Sequence, residues 1–124
     1  MCFLAEAIGK LRVVEAADDR VLDLWRGLKG LKTTEEFQAK GGTELAPMST
    51  TSDLKVALEY SEAHHSLLFK LRTDSFMQRG ASIQFLSAFP GEAEFCTPAG
   101  FQTHAASAVS KPWVVPSWTQ CSLR

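Results

Sequence analysis

The chain has 124 residues, enough for one domain with a modest core. An apolar content of 45%, a charged content of 22% and a net charge of −1 fall in the ordinary globular range. That balance gives no reason to expect a nucleic-acid partner or an anionic membrane. No apolar run approaches the ~20 residues that a bilayer span needs. The opening stretch lacks a basic n-region and carries Glu6 early, so no secretory signal is expected and the compartment stays open. Cys2, Cys96 and Cys121 are odd in number and far apart, which suits neither a disulfide framework nor a zinc site. They read as buried or idle thiols, and no metal is expected.

Leu4, Ile8 and Leu11 have helical spacing and predict an N-terminal helix. The apolar run from Val21 to Leu28 predicts a strand that ends at Gly27. Thr33 with Glu36 three residues later is a capping-box pattern for a short helix, stopped by Gly41 and Gly42. A second strand is expected from Glu44 to Thr50. Ser52 or Asp53 can then cap a helix that places Leu54, Ala57 and Leu58 on one face. Leu67, Phe69 and Leu71 alternate with Leu68, Lys70 and Arg72, the pattern of a half-buried strand. Ser82 to Phe89 reads as extended, Pro90-Gly91 as a turn, and Ala93 to Thr97 as one more short strand. Strands mixed with short helices indicate the α+β class.

Charge then divides the chain. All fourteen acidic residues lie at or before Glu94, so residues 1–95 carry −3, whereas the remainder holds only Lys111 and Arg124 and carries +2. Beyond Pro98 the sequence is rich in Ser, Ala, Thr and Pro and shows no periodicity of either kind. Residues 1–97 are therefore expected to form the core, and residues 98–124 an irregular tail from which Trp113, Val114 and Val115 could dock.

Three separated elements could carry chemistry. Trp25-Arg26-Gly27 lies at a strand end, Ser49-Thr50-Thr51 lies at a second strand end before a capped helix, and Glu92-Ala93-Glu94 follows a Pro-Gly turn. Singly, each has an ordinary reading: a surface charge, a helix cap, two solvated carboxylates. Together, in this order, they resemble the R-S-E signature of the arginine-specific mono-ADP-ribosyltransferase family. The likeness runs through LWRGLKG, GGTELAPMSTTSDLKVALEYS and LLFKLRTDSFMQRGASIQFLSAFPGEAEF, about seventy residues in all. It ends near Phe95. The resemblance therefore implies an ADP-ribosyltransferase-like mixed sheet with short helices, incomplete on its C-terminal side.

The resemblance also implies an activity. Such enzymes break the bond between nicotinamide and ribose in NAD and pass ADP-ribose to an acceptor side chain, here the arginine of a protein. Departure of nicotinamide leaves an oxocarbenium-like ribose, which a nearby carboxylate stabilises. Glu94 takes that role in the family pattern, and Glu92 aligns the acceptor guanidinium and assists its proton loss. An extended backbone would put both carboxylates on one face, roughly 6–7 Å apart. Ser49 is expected to brace Glu94 and contact the ribose. Arg26 suits the diphosphate through paired, charge-assisted hydrogen bonds. Gly27, lacking a Cβ, would let its backbone hold the nicotinamide carboxamide, and Thr50 counts with these as an NAD contact. Thr51 stands where serine is more usual and keeps the hydroxyl. An aromatic group for nicotinamide could be Tyr60, His64 or His65. NAD enters as substrate, and no metal is implied.

Competing readings are an NAD glycohydrolase, with water as acceptor, and a non-catalytic NAD-binding or interaction module of the same family. Neither G-x-G-x-x-G nor G-x-x-x-x-G-K-[ST] occurs, so Rossmann and P-loop sites are not indicated. His64 and His65 are adjacent without a third ligand nearby, and no G-x-S-x-G supports a hydrolase triad. The basic residues are dispersed, so nucleic-acid binding is not expected.

Overall fold

The computed structural model describes residues 2–15, 20–31, 34–61, 66–103, 105–109 and 118–123. Its centre is a pair of antiparallel strands, β1 (Leu22–Lys29) and β4 (Ser66–Thr73), aligned along all eight residues from Leu22↔Thr73 to Lys29↔Ser66. Alternation sorts their side chains. Leu24 faces Leu71 and Leu28 faces Leu67 on one side of the sheet, and these join Met48 in the core. On the other side Trp25 faces Lys70 and Gly27 faces Leu68. Strand β1 runs through Gly27 to Lys29 rather than ending at the glycine, because β4 pairs with it along that whole length. Leu68, expected on a solvated face, is only 5% exposed, so β4 is apolar on both sides at that point.

The chain between them supplies α2 (Glu35–Lys40), β2 (Gly42–Glu44), β3 (Met48–Thr51) and α3 (Leu54–Tyr60). Helix α2 is capped by Thr34, whose hydroxyl accepts from the Phe37 N–H at 3.2 Å, and it stops at Gly41, which adopts φ 75°. The expected cap, Thr33, lies outside the described residues. The single strand expected over Glu44–Thr50 is two strands, interrupted at Leu45-Ala46-Pro47, where proline cannot donate to a ladder. Asp53 caps α3, accepting from the Lys55 N–H at 2.9 Å. Helix α1 (Cys2–Val14) precedes all of these and is tied on by Glu15, whose carboxylate accepts from the Ser82 N–H at 3.2 Å.

After β4 come α4 (Phe76–Arg79), β5 (Ala81–Ser82), a 3-10 turn (Pro90–Glu92) and β6 (Glu94–Thr97). Ser82 to Phe89 is not extended: the Leu86 and Ser87 N–H groups both bond back to the Ile83 carbonyl at 2.9 Å, closing turns in place of a strand. Strands β7 (Phe101–Thr103), β8 (Ala105–Val109) and β9 (Trp118–Leu123) follow. The large sheet has the order β5-β6-β3-β1-β4-β9-β8, and β2 pairs with β7 in a small second sheet.

Those last strands correct the expectation of an irregular tail. Strand β9 lies parallel to β4 from Ser66↔Trp118 to Leu71↔Leu123, on the edge that β1 leaves open, and β8 runs antiparallel beyond it. Local pattern did not forecast this because an open strand edge, with its row of unpaired backbone groups, selects partners by tertiary context. Strand β6 lies between β3 and β5. Trp113, Val114 and Val115 lie outside the described residues. The fold is α+β, as the sequence indicates.

Helix α3 comes very close to β1. A Cβ built on Gly27 would lie 2.1 Å from the Ala57 carbonyl oxygen and 3.1 Å from the Ser61 Cβ. The first of these is backbone and cannot yield. Gly27→Ala is expected to cost about 1–3 kcal/mol through overpacking, read as a lower denaturant midpoint with an unchanged slope.

Candidate functional site

Strands β1 and β3 share a single partner pair, Trp25↔Thr51, although they are neighbours in the sheet. Beyond Trp25 they part, and the opening becomes a cleft of about 250 Å³ walled by β1, β3, α3 and the turn before β6. Arg26 spans the gap. Its Nη1 donates to the Ser49 carbonyl at 3.3 Å, where the ladder no longer holds the two strands together.

Strand β3 meets β6 in the register Met48↔Thr97, Ser49↔Cys96, Thr50↔Phe95 and Thr51↔Glu94. Ser49 and Glu94 are thus diagonal neighbours on one face, close enough for side chains to meet. The Ser49 hydroxyl donates to Oε1 of Glu94. The Ser87 hydroxyl donates to Oε2 at 3.4 Å. Both oxygens of this carboxylate are therefore oriented, and Glu94 still lines the cleft. Ser87 was not foreseen, since an extended reading of its segment gave its side chain no target.

Glu92 also lines the cleft, but not along an extended backbone. It closes the 3-10 turn, with its N–H bonded to the Phe89 carbonyl at 3.0 Å. Ala93 then takes a left-handed conformation, φ 46° and ψ 53°, before β6 begins at Glu94. The two-residue strand period thus does not set the spacing of the carboxylates. Pro90 at the start of the turn favours this path over a strand.

Thr51 fixes the turn to the sheet. Its hydroxyl donates to the Glu92 carbonyl at 2.5 Å and accepts from the Asp53 N–H at 3.0 Å. One hydroxyl thereby joins the end of β3, the cap of α3 and the carboxylate-bearing turn. Thr50 is different. It is 3% exposed, and its hydroxyl donates to the Phe95 carbonyl at 3.4 Å, although the residue is among those that line the cleft. Gly27 borders the cleft too, but its missing side chain makes room for α3.

Tyr60, at the end of α3, is the described member of the three aromatic candidates; His64 and His65 lie outside the described residues. Its hydroxyl donates to Oε1 of Glu92 at 3.0 Å, and that carboxylate raises the phenol above its ordinary value of 10.0. Trp25 lines the inner wall, with the Lys70 ammonium 5.3 Å from its ring centroid and ion-paired to Asp23 at 2.9 Å. No cluster of three or more metal-ligating side chains occurs among the described residues.

No protein-family model matches the chain, and no curated protein matches it in sequence. Solved structures do match. HopU1 of Pseudomonas syringae pv. tomato, an ADP-ribosyltransferase, aligns with a TM-score of 0.64 at 22% identity, covering 94% of this chain and 49% of that one. Vis toxin, an ADP-ribosyltransferase from Vibrio splendidus, aligns at 0.60 and 19% identity, covering 96% and 56%. The fold is that of the ADP-ribosyltransferases. Exoenzyme S from Pseudomonas aeruginosa, solved with human 14-3-3 protein beta and bound to carba-NAD, agrees at 0.61 and 14% identity, covering 86% and 48%. Vis has also been solved in complex with agmatine. This chain spans about half the length of these ADP-ribosyltransferase structures.

Cys96 lies opposite Ser49 on the Glu94 strand, and its thiol is raised by burial first and by the Glu94 charge second. Glu94→Gln removes the second cause. Alkylation of Cys96, followed peptide by peptide by mass spectrometry at fixed pH, should accelerate in that variant as the thiolate fraction grows; an unchanged rate would place the carboxylate elsewhere.

Proposed function

We propose that the chain transfers ADP-ribose from NAD to the guanidinium of a protein arginine, releasing nicotinamide. The observation that carries this reading is the meeting of Ser49 and Glu94 across β3 and β6 in a cleft that Arg26 also lines, on an ADP-ribosyltransferase fold. Three residues from distant parts of the chain supply a hydroxyl, a carboxylate and a guanidinium to one place.

Each suits a part of the reaction. As nicotinamide leaves, positive charge develops on the ribose. Glu94, held by Ser49, is the carboxylate that faces it, and a fixed negative charge beside the ribose stabilises the transition state, in which positive charge has passed from the nicotinamide ring to the ribose, more than the ground state. Arg26 provides donors for the diphosphate. Its bond to the Ser49 carbonyl keeps the guanidinium on the cleft wall. Gly27 and its neighbours offer main-chain groups on the edge of β1 that β3 does not pair beyond Trp25, where the nicotinamide amide would bind. Glu92, on the turn beside Glu94, receives the acceptor. A guanidinium with a pKa above ~12 must be aligned and relieved of a proton to attack the ribose carbon. That acceptor choice is supported by an acid at this position and by agmatine, a guanidinium compound, in the Vis complex.

Hydrolysis of NAD, with water as acceptor, uses the same cleft and the same NAD contacts but does not need Glu92. Labelled NAD incubated with the chain and agmatine measures both outcomes. Glu94→Gln is expected to slow nicotinamide release by about 10²–10³. Glu92→Gln should reduce transfer to agmatine far more than it reduces hydrolysis. Release no faster than the background from the intact chain would refute the assignment.

A further inference from the structure

Tyr60 comes from the last turn of α3, on the opposite wall of the cleft from the turn that bears Glu92. It is 52% exposed, so burial does not dictate where its hydroxyl points, yet that hydroxyl donates to Oε1 of Glu92 at 3.0 Å. The main chain of Glu92 is fixed independently, by Phe89 on one side and by the Thr51 hydroxyl on the other. Its side chain is held differently. Among the described residues, Tyr60 is the hydrogen-bond partner of the Glu92 carboxylate, whereas Glu94 is braced by two serines.

We propose that Tyr60 is a positioning residue for acceptor recognition, holding the Glu92 carboxylate so that its remaining lone pairs meet a guanidinium. The inference rests on the transferase reading above and assigns part of that reaction to a residue outside its three motifs. An ionised carboxylate accepts about four hydrogen bonds, and Tyr60 takes one. A planar guanidinium fork needs two parallel acceptors, one on each oxygen, so the bond at Oε1 is compatible with two-point recognition. What the phenol contributes is orientation. An unanchored glutamate turns about its terminal torsion, which is broad, and ordering it on acceptor arrival costs side-chain entropy. With Oε1 anchored across the cleft, the carboxylate plane is set before the acceptor arrives. The bond from a neutral hydroxyl also leaves the charge on Glu92, as cation recognition requires.

Tyr60 is the only tyrosine in the chain, so its ionisation is visible directly in the ultraviolet spectrum. The first measurement needs no turnover: the phenol titrates above its ordinary value in the intact chain, and Glu92→Gln lowers it. No change on that substitution overturns the contact and the proposal with it. The second measurement is the partition between transfer to agmatine and hydrolysis of NAD. Tyr60→Phe keeps the ring and removes the hydroxyl; the ratio of transfer to hydrolysis should fall about tenfold, through a higher KM for agmatine with kcat less affected. An unchanged ratio overturns the proposal while leaving the transferase reading intact. Absence of nicotinamide release from the unsubstituted chain is the distinct result that removes the transferase reading and this inference together.

Discussion

The register of β3 against β6 governs everything else in the cleft. With Thr51 opposite Glu94, Ser49 falls diagonally across from the carboxylate, and the hydroxyl can reach it. A slip of one residue would turn Ser49 and Thr51 into the core and bring Thr50 out. The alternate positions prevent that slip. Met48 is buried among Leu24, Leu67 and Leu71, and the hydroxyls of Thr50 and Thr97 bond to the Phe95 and Met48 carbonyls on the adjacent strands. The site is thus specified from beneath, by residues with no chemistry of their own.

A second constraint opens the site. Strands that paired along their full length would leave no cleft, and β1 has one partner pair with β3 against eight with β4. Helix α3, lying directly on Gly27, fills part of the space beside the split and brings Tyr60 to its rim. Arg26 bonds across the gap without closing it. The positive φ of Ala93 has a related consequence. It turns the chain sharply between the two carboxylates, so Glu94 belongs to the sheet and Glu92 to the turn. A left-handed alanine costs roughly 1–2 kcal/mol. The Thr51 bond to the Glu92 carbonyl helps to retain it.

Much of this was legible in the sequence wherever a local rule and the tertiary structure agree. The Asp53 cap and the Glu94 strand obey such rules, whereas the alternation in β4 gives way at Leu68, which is buried. The diagonal contact between Ser49 and Glu94 follows once the strands pair. What escaped has a common cause. The ends of β1, the pairing of β9 with the free edge of β4 and the role of Ser87 depend on which segments meet, and no local period encodes that. The backbone conformation at Glu92 escaped for another reason: a Pro-Gly start permits either a turn or a strand, and the left-handed residue after Glu92 is an alanine, which carries no signal of that conformation. Gly27 stands out in the sequence as a place for a ligand to approach, and the structure shows a different demand on it, from the backbone of α3.

The most direct test of the central claim is to locate NAD without asking for catalysis. Carba-NAD, the analogue bound in the Exoenzyme S structure, can be titrated into isotope-labelled chain while the backbone amides are followed by nuclear magnetic resonance. The account predicts that the largest shifts fall together on Trp25 to Leu28, Ser49 to Thr51 and Glu92 to Glu94. Shifts confined to other surfaces, or none at millimolar analogue, would contradict it.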